Sequence, residues 1–216
     1  MLEWVINIFS AIGGAIIALL GGILVSWLRR PKLEIDFEKL MGASPRIVDF
    51  SLGEHILGIE SKARFLRLRV YNVGRKPALN CEAKVVVLLE EDKDTAVQTL
   101  HWARRDPKLY TGLDQIYAPI HINSRDNELL DVLELNYNVD IDTQGIKDLS
   151  PDDCIETVSP YSIMLERNKT YQLETTVYAN NAISKPFRFQ VKWDGTVEGF
   201  NKAFKKVRNF PKETSS

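Results

Sequence analysis

The chain has 216 residues, 28 basic against 29 acidic side chains for a net charge of −1, a 44% hydrophobic share and two cysteines. That balance excludes nucleic-acid binders built on a basic face, and two cysteines exclude a disulfide-dense small scaffold. The charge is polarised, however: Arg29, Arg30 and Lys32 near one end and Lys202, Lys205, Lys206, Arg208 and Lys212 near the other flank an acidic body.

Trp4 to Leu28 is uncharged, rich in Ile, Leu, Ala and Gly, with a Trp near each end. As a helix rising ~1.5 Å per residue it reaches roughly 37 Å, enough to cross a ~30 Å hydrocarbon core with some tilt. Trp4 and Trp27 then fall in the interfacial belts. The run is too long for a signal-peptide core and no A-x-A site follows, so it reads as an anchor. Glu3 precedes it and Arg29, Arg30 and Lys32 follow. The positive-inside tendency therefore places the N-terminus outside and the C-terminal domain in the cytoplasm. Ser10, Gly14, Ala18, Gly22 and Ser26 recur every four residues and share one helical stripe, which predicts a homo-oligomer packed through small side chains. The plainer alternative is that Gly and Ala are simply common in membrane helices.

The body, 33–198, carries period-two alternation. Leu33, Ile35 and Phe37 alternate with Glu34, Asp36 and Glu38, directly after the helix stop at Pro31. Strands are predicted over 33–38, 64–72, 78–89, 97–103, 115–122, 129–141, 170–179 and 186–193, with loops at 39–54 and 143–160. Asn72-Val-Gly-Arg-Lys-Pro77 supplies turn chemistry between two of them. Seven to nine short strands without long helices between them predict a mainly β antiparallel sandwich.

Leu165-Glu-Arg-Asn-Lys-Thr-Tyr171 has the spacing of the tyrosine corner, with Asn168 suited to a left-handed residue. Together with Tyr171, Leu173, Thr175, Val177 and Ala179, this stretch resembles the penultimate strand of immunoglobulin-like and fibronectin type III domains. Asn72 to Ala78 is similar to the strand-turn-strand of CARDB-like modules. The resemblance covers short motifs and implies a binding or scaffolding fold; it transfers no catalytic residue.

Catalytic, cofactor and metal sites find no support. His55, His101 and His121 have no metal-ligand spacing, and no P-loop, dinucleotide glycine motif or G-x-S-x-G occurs. Asp140, Asp142, Asp152 and Asp153 could gather around Ca²⁺ but read better as solvated strand and loop carboxylates. Arg67 and Arg69 could form an anion stripe; exposed cross-strand charges are the plainer reading. Cys81 falls in an apolar register, and Cys154 lies among carboxylates that oppose a thiolate. Asn168-Lys-Thr fits a glycosylation sequon that a cytoplasmic domain would not present to its enzyme.

In the tail, 199–216, residues 199–210 read as an amphipathic helix. Phe200, Ala203, Phe204, Val207 and Phe210 share one face, and Lys202, Lys205, Lys206 and Arg208 lie opposite. With Arg29, Arg30 and Lys32, this basic face and Phe204 are expected at an anionic membrane surface; the alternative is that the phenylalanine face packs on the sandwich and leaves the lysines solvated. The expected function is a membrane-anchored, non-enzymatic scaffold that recruits a partner protein or ligand. The rival is an oligomerising effector that perturbs the bilayer when the sandwich senses a signal.

Overall fold

The computed structural model describes residues 16–37, 47–51, 59–89, 95–103, 117–142 and 145–207. Residues 16–28 form a helix, α1, whose apolar side chains are exposed all round, from Ile16 and Ile17 to Trp27 and Leu28. Among the described residues no helix is long and apolar enough to cross a membrane. α1 is only the later part of the apolar run; Trp4, Ser10 and Gly14 lie outside the described residues.

The strands follow in order. β1 (Leu33–Phe37), β2 (Ile47–Ser51), β3 (Ile59–Asn72), β4 (Ala78–Leu89) and β5 (Thr95–Thr99) lead into the two-residue β6 (His101–Trp102). Next come β7 (Ile120–Ile122), β8 (Asn127–Asp142), β9 (Gly145–Pro151), β10 (Cys154–Thr157) and β11 (Met164–Glu166). β12 (Thr170–Ala179), β13 (Ala182–Ile183), β14 (Phe187–Lys192), the one-turn helix α2 (Val197–Phe200) and β15 (Phe204–Lys206) end the described chain.

These strands make two antiparallel sheets. The first runs β1-β3-β8-β10-β11, with β2 on β3 and both β6 and β9 on β8. The second runs β15-β14-β12-β4-β5, with β13 on β12 and β7 on β4. Alternation decides what each sheet turns inward. Leu33, Ile35 and Phe37 of β1, with Leu66, Leu68 and Val70 of β3, face Val85 and Val87 of β4 and Leu173 and Val177 of β12 in one core. Phe37 stands edge-on to Phe187, with ring centroids 5.1 Å apart, so the open side of the sandwich is sealed by aromatic contact. Trp102 and Trp193 both lie in this core.

The mainly β antiparallel sandwich is therefore present, with fifteen strands among the described residues where seven to nine were expected, and three local expectations also need correction. The stretch expected as loop over 39–54 contains β2, and the one over 143–160 contains β9 and β10. In the second of these, Gly145 and Pro151 are the two ends of β9 rather than parts of a continuous loop. Arg67 is buried, not a solvated cross-strand charge. The β3–β8 register shifts between Leu66 and Arg67, and the slip turns the guanidinium towards Asp131, with Nε donating to Oδ1 at 2.6 Å.

The tail departs most. The amphipathic helix expected over 199–210 is one helical turn, α2, then a bend and the edge strand β15 paired with β14. Phe200 and Phe204 are both core residues, their rings 4.9 Å apart and nearly perpendicular. An apolar spacing of three and four residues serves one helical turn followed by a strand as well as it serves a helix. The sandwich needs those rings to close its end, so Phe204 is not available to a bilayer. Arg208 and Phe210 lie outside the described residues.

Candidate functional site

The site grows from the place where α1 meets the sandwich. Helical bonding persists to its last residues: the Arg29 amide donates to the Val25 carbonyl at 3.1 Å and the Arg30 amide to that of Trp27 at 3.2 Å. Two residues later the Lys32 amide already donates to Asn72 Oδ1, at 3.2 Å, and the Val73 amide to the Lys32 carbonyl, at 2.9 Å. Only Pro31 intervenes, buried and with φ fixed by its ring. Helix and sheet are joined without slack.

Asn72 is the hub of this junction, with 1% of its surface exposed. Its Oδ1 also accepts from the Gly74 amide at 3.1 Å. Its Nδ2 donates to the Lys76 carbonyl at 2.8 Å and the Ile122 carbonyl at 3.0 Å. Its own carbonyl accepts from the Arg125 amide at 2.8 Å. One side chain thus satisfies both sides of the β3–β4 turn, the chain leaving α1 and the end of β7, as burial of an amide demands. Gly74 is required here by proximity: a Cβ on it would run into the backbone of Arg30, Pro31 and Lys32.

Two further turns pack onto the same pole. In Asn123–Asp126 the Asp126 amide closes on the Asn123 carbonyl at 3.2 Å, and Ser124 Oγ donates to the Gly74 carbonyl at 2.8 Å. Arg125 sits there at φ +61°, a left-handed position that disfavours a side chain. In the β12–β13 turn Asn181 Oδ1 accepts from the Leu79 amide at 3.1 Å, and its Nδ2 donates to the Pro77 carbonyl at 3.0 Å. A cleft of about 650 Å³ opens beside the junction between β1 and the β13–β14 connection, lined among others by Arg30, Lys32, Tyr71, Lys185 and Lys206. Its carboxylates are paired: Glu34 with Lys32 at 2.6 Å, and Asp36 with Lys206 at 2.9 Å.

The basic residues singled out from sequence divide accordingly. Arg29, Arg30 and Lys32 stand at this pole. Lys206, and beside it exposed Lys205, lie on the edge strand β15, with Lys206 reaching the cleft. Lys202 is at the opposite end, beyond α2. The stripe members Ala18, Gly22 and Ser26 are exposed on α1, and a Cβ on Gly22 would meet nothing within 4 Å. Sequence reasoning missed Arg75, Lys76, Arg125 and Lys185 as neighbours of the helix foot. Only the turn signal at 72–77 hinted at Arg75 and Lys76.

A second polar cluster lies mid-sheet. His101 Nδ1 is 3.7 Å from Asp131 Oδ2, opposite the Arg67 contact, which pins β6 to β8. Burial, then the charges of Glu156 and Asp131, push the Glu134 carboxyl above its ordinary range. Burial likewise raises the Cys81 thiol to about 11, and raises Cys154 with help from Glu156, Asp152, Asp153 and Glu166. Neither thiol is activated and both are free. Among the described residues no group of three or more His, Cys, Asp or Glu could hold a metal ion; the Asp140 and Asp142 side chains lie outside them. No family model, curated protein or solved structure matches the chain.

Proposed function

We propose that the chain is a membrane-anchored scaffold that holds an immunoglobulin-like sandwich at the cytoplasmic surface in a fixed attitude and recruits a partner there. The observation that carries this reading is the junction at Asn72 and Gly74. A tether meant only to localise a domain gains nothing from a buried amide hub and a glycine pressed against the linker backbone. A scaffold that presents a defined surface does. The exposed apolar side chains of α1 need cover from water, and lipid supplies it without a second protein.

Two features support the immunoglobulin-like description. The orders β1-β3-β8 and β14-β12-β4-β5 follow the A-B-E and G-F-C-C′ arrangement of such sandwiches. The Tyr171 hydroxyl accepts from the Glu166 amide at 2.9 Å, with Asn168 at φ +63° between them, as in a tyrosine corner.

The test uses the full chain in its native membranes. Alkaline carbonate should leave it in the membrane pellet, and an impermeant thiol reagent on intact cells should fail to label a Ser150→Cys variant. Gly74→Val should stay in the membrane yet lose the proteins that wild type captures by proximity labelling. Release by carbonate, or strong labelling of intact cells, overturns the reading.

A further inference from the structure

The pole around the helix foot is basic in a way that the linear sequence does not reveal. Segments 29–32, 72–77, 123–126 and 180–185 lie far apart in the chain, yet hydrogen bonds and the shared cleft gather them at one end. Together they expose Arg29, Arg30, Arg75, Lys76, Arg125 and Lys185; Lys32 is paired with Glu34. Asp126 is the one carboxylate in these four segments, and it accepts from the Asn127 amide at 2.8 Å. The chain as a whole carries −1, so the rest of it is acidic. The sandwich is electrically polar, with its positive end turned towards the helix.

We propose that this pole is a docking surface for anionic phospholipid headgroups, which rests on the anchor reading above. The occupant is set by position and charge. Arg75 belongs to the turn bonded directly to the residues that leave α1, and the Arg125 turn is itself bonded to Asn72 and Gly74, so a bilayer holding α1 brings its headgroups to these side chains first. Basic residues at that depth feel the negative potential of an anionic leaflet, which falls off within a Debye length. Arg125 adds a second line. A left-handed turn position favours Gly or Asn, and a long basic side chain there is held against local preference. The acidic remainder of the body is repelled by the same leaflet. The sandwich then stands upright on its pole instead of lying on its flank.

The experiment compares full chain in nanodiscs of phosphatidylcholine alone with nanodiscs containing roughly one-third phosphatidylserine, reading amide hydrogen exchange. Exchange at 73–76 and 123–126 should slow at least severalfold in the anionic discs only. The protection should vanish at 1 M salt, where the screening length is about 3 Å. Arg75→Glu combined with Lys76→Glu should abolish it. Arg125→Gly should weaken it while leaving thermal stability equal or higher, because the glycine accepts the backbone conformation; a purely structural Arg125 would give the opposite pattern. Protection that ignores headgroup charge, or survives the double substitution, overturns the proposal while leaving the anchor intact. Exchange unchanged in anionic discs, with an acidic peptide binding the pole in zwitterionic ones, assigns the surface to a protein partner instead. Wild type that fails to stay with the discs overturns both readings.

Discussion

The two ends of the sandwich are closed by opposite means. At the far pole, Trp193 and Phe200 plug the gap between the sheets while Val197 packs with Tyr137 and Val139, and polar work is confined to the rim. There Asp194 Oδ1 accepts from the Thr196 amide at 2.9 Å and its hydroxyl at 2.8 Å, bonds that hold the Asp194 carboxyl below its ordinary range. Thr196 Oγ1 accepts from the Gly199 amide at 2.8 Å to cap α2. At the near pole a single amide, Asn72, replaces the apolar plug, and the surrounding turns carry charge. An apolar closure works wherever water is outside. A polar, backbone-bonded closure fixes the angle of what leaves it, which matters only where something does leave.

The largest effect that separates the two is expected at the far pole. Phe200→Ala should cost about 4 kcal/mol in denaturant unfolding, from lost burial plus the cavity beneath Phe204. It should leave hydrogen exchange at Lys32 and Val73 as in wild type until global unfolding. A small loss would mean that the plug does not carry that end.

Asn72→Ala should reverse the pattern. It strands the Lys76 and Ile122 carbonyls and the Lys32 and Gly74 amides, costing about 3 kcal/mol. Exchange at Lys32 and Val73 should rise well before that of the core strands. If both poles loosen together, junction and core are one cooperative unit and the contrast drawn here dissolves.

The smallest effect lies between the poles. Burial and the neighbouring Glu156 and Asp131 raise the folded-state pKa of Glu134, so its ionised form opposes folding. That penalty is fully present above the folded pKa and absent below the ordinary glutamate value of about 4.3. Glu134→Gln should therefore raise the melting temperature at pH 7, with the gain shrinking to nothing as the pH falls to about 4. A gain independent of pH would point to packing rather than charge.

Much of the sandwich was legible because period-two alternation survives in β1 and β12, whose Leu33, Ile35, Phe37, Tyr171, Leu173 and Val177 all lie in the core. The bond from the Glu166 amide to the Tyr171 hydroxyl was legible too, because the spacing that sets it is local. The tail was not, since Phe200, Ala203 and Phe204 satisfy two periodicities at once and only the partner strand β14 decides between them. Arg67 was hidden by the register shift, which alternation cannot foresee. The basic pole was illegible for a deeper reason. Arg75, Arg125 and Lys185 are unremarkable singly, and only the cross-bonding of three turns makes them neighbours of Arg30.

β3 and β8 run for 14 and 16 residues, long for strands of any sandwich. At ~3.3 Å per residue β3 is up to about 45 Å long, and α2 meets it at Arg64, about 25 Å along the strand from Asn72 at the helix foot. On an anchored chain that length is a ruler. Under the anchored arrangement proposed above, the surface around α2 would stand that far from the headgroups, beyond the screened reach of the leaflet's charge, and a partner gripping it would be held at a set height above the bilayer.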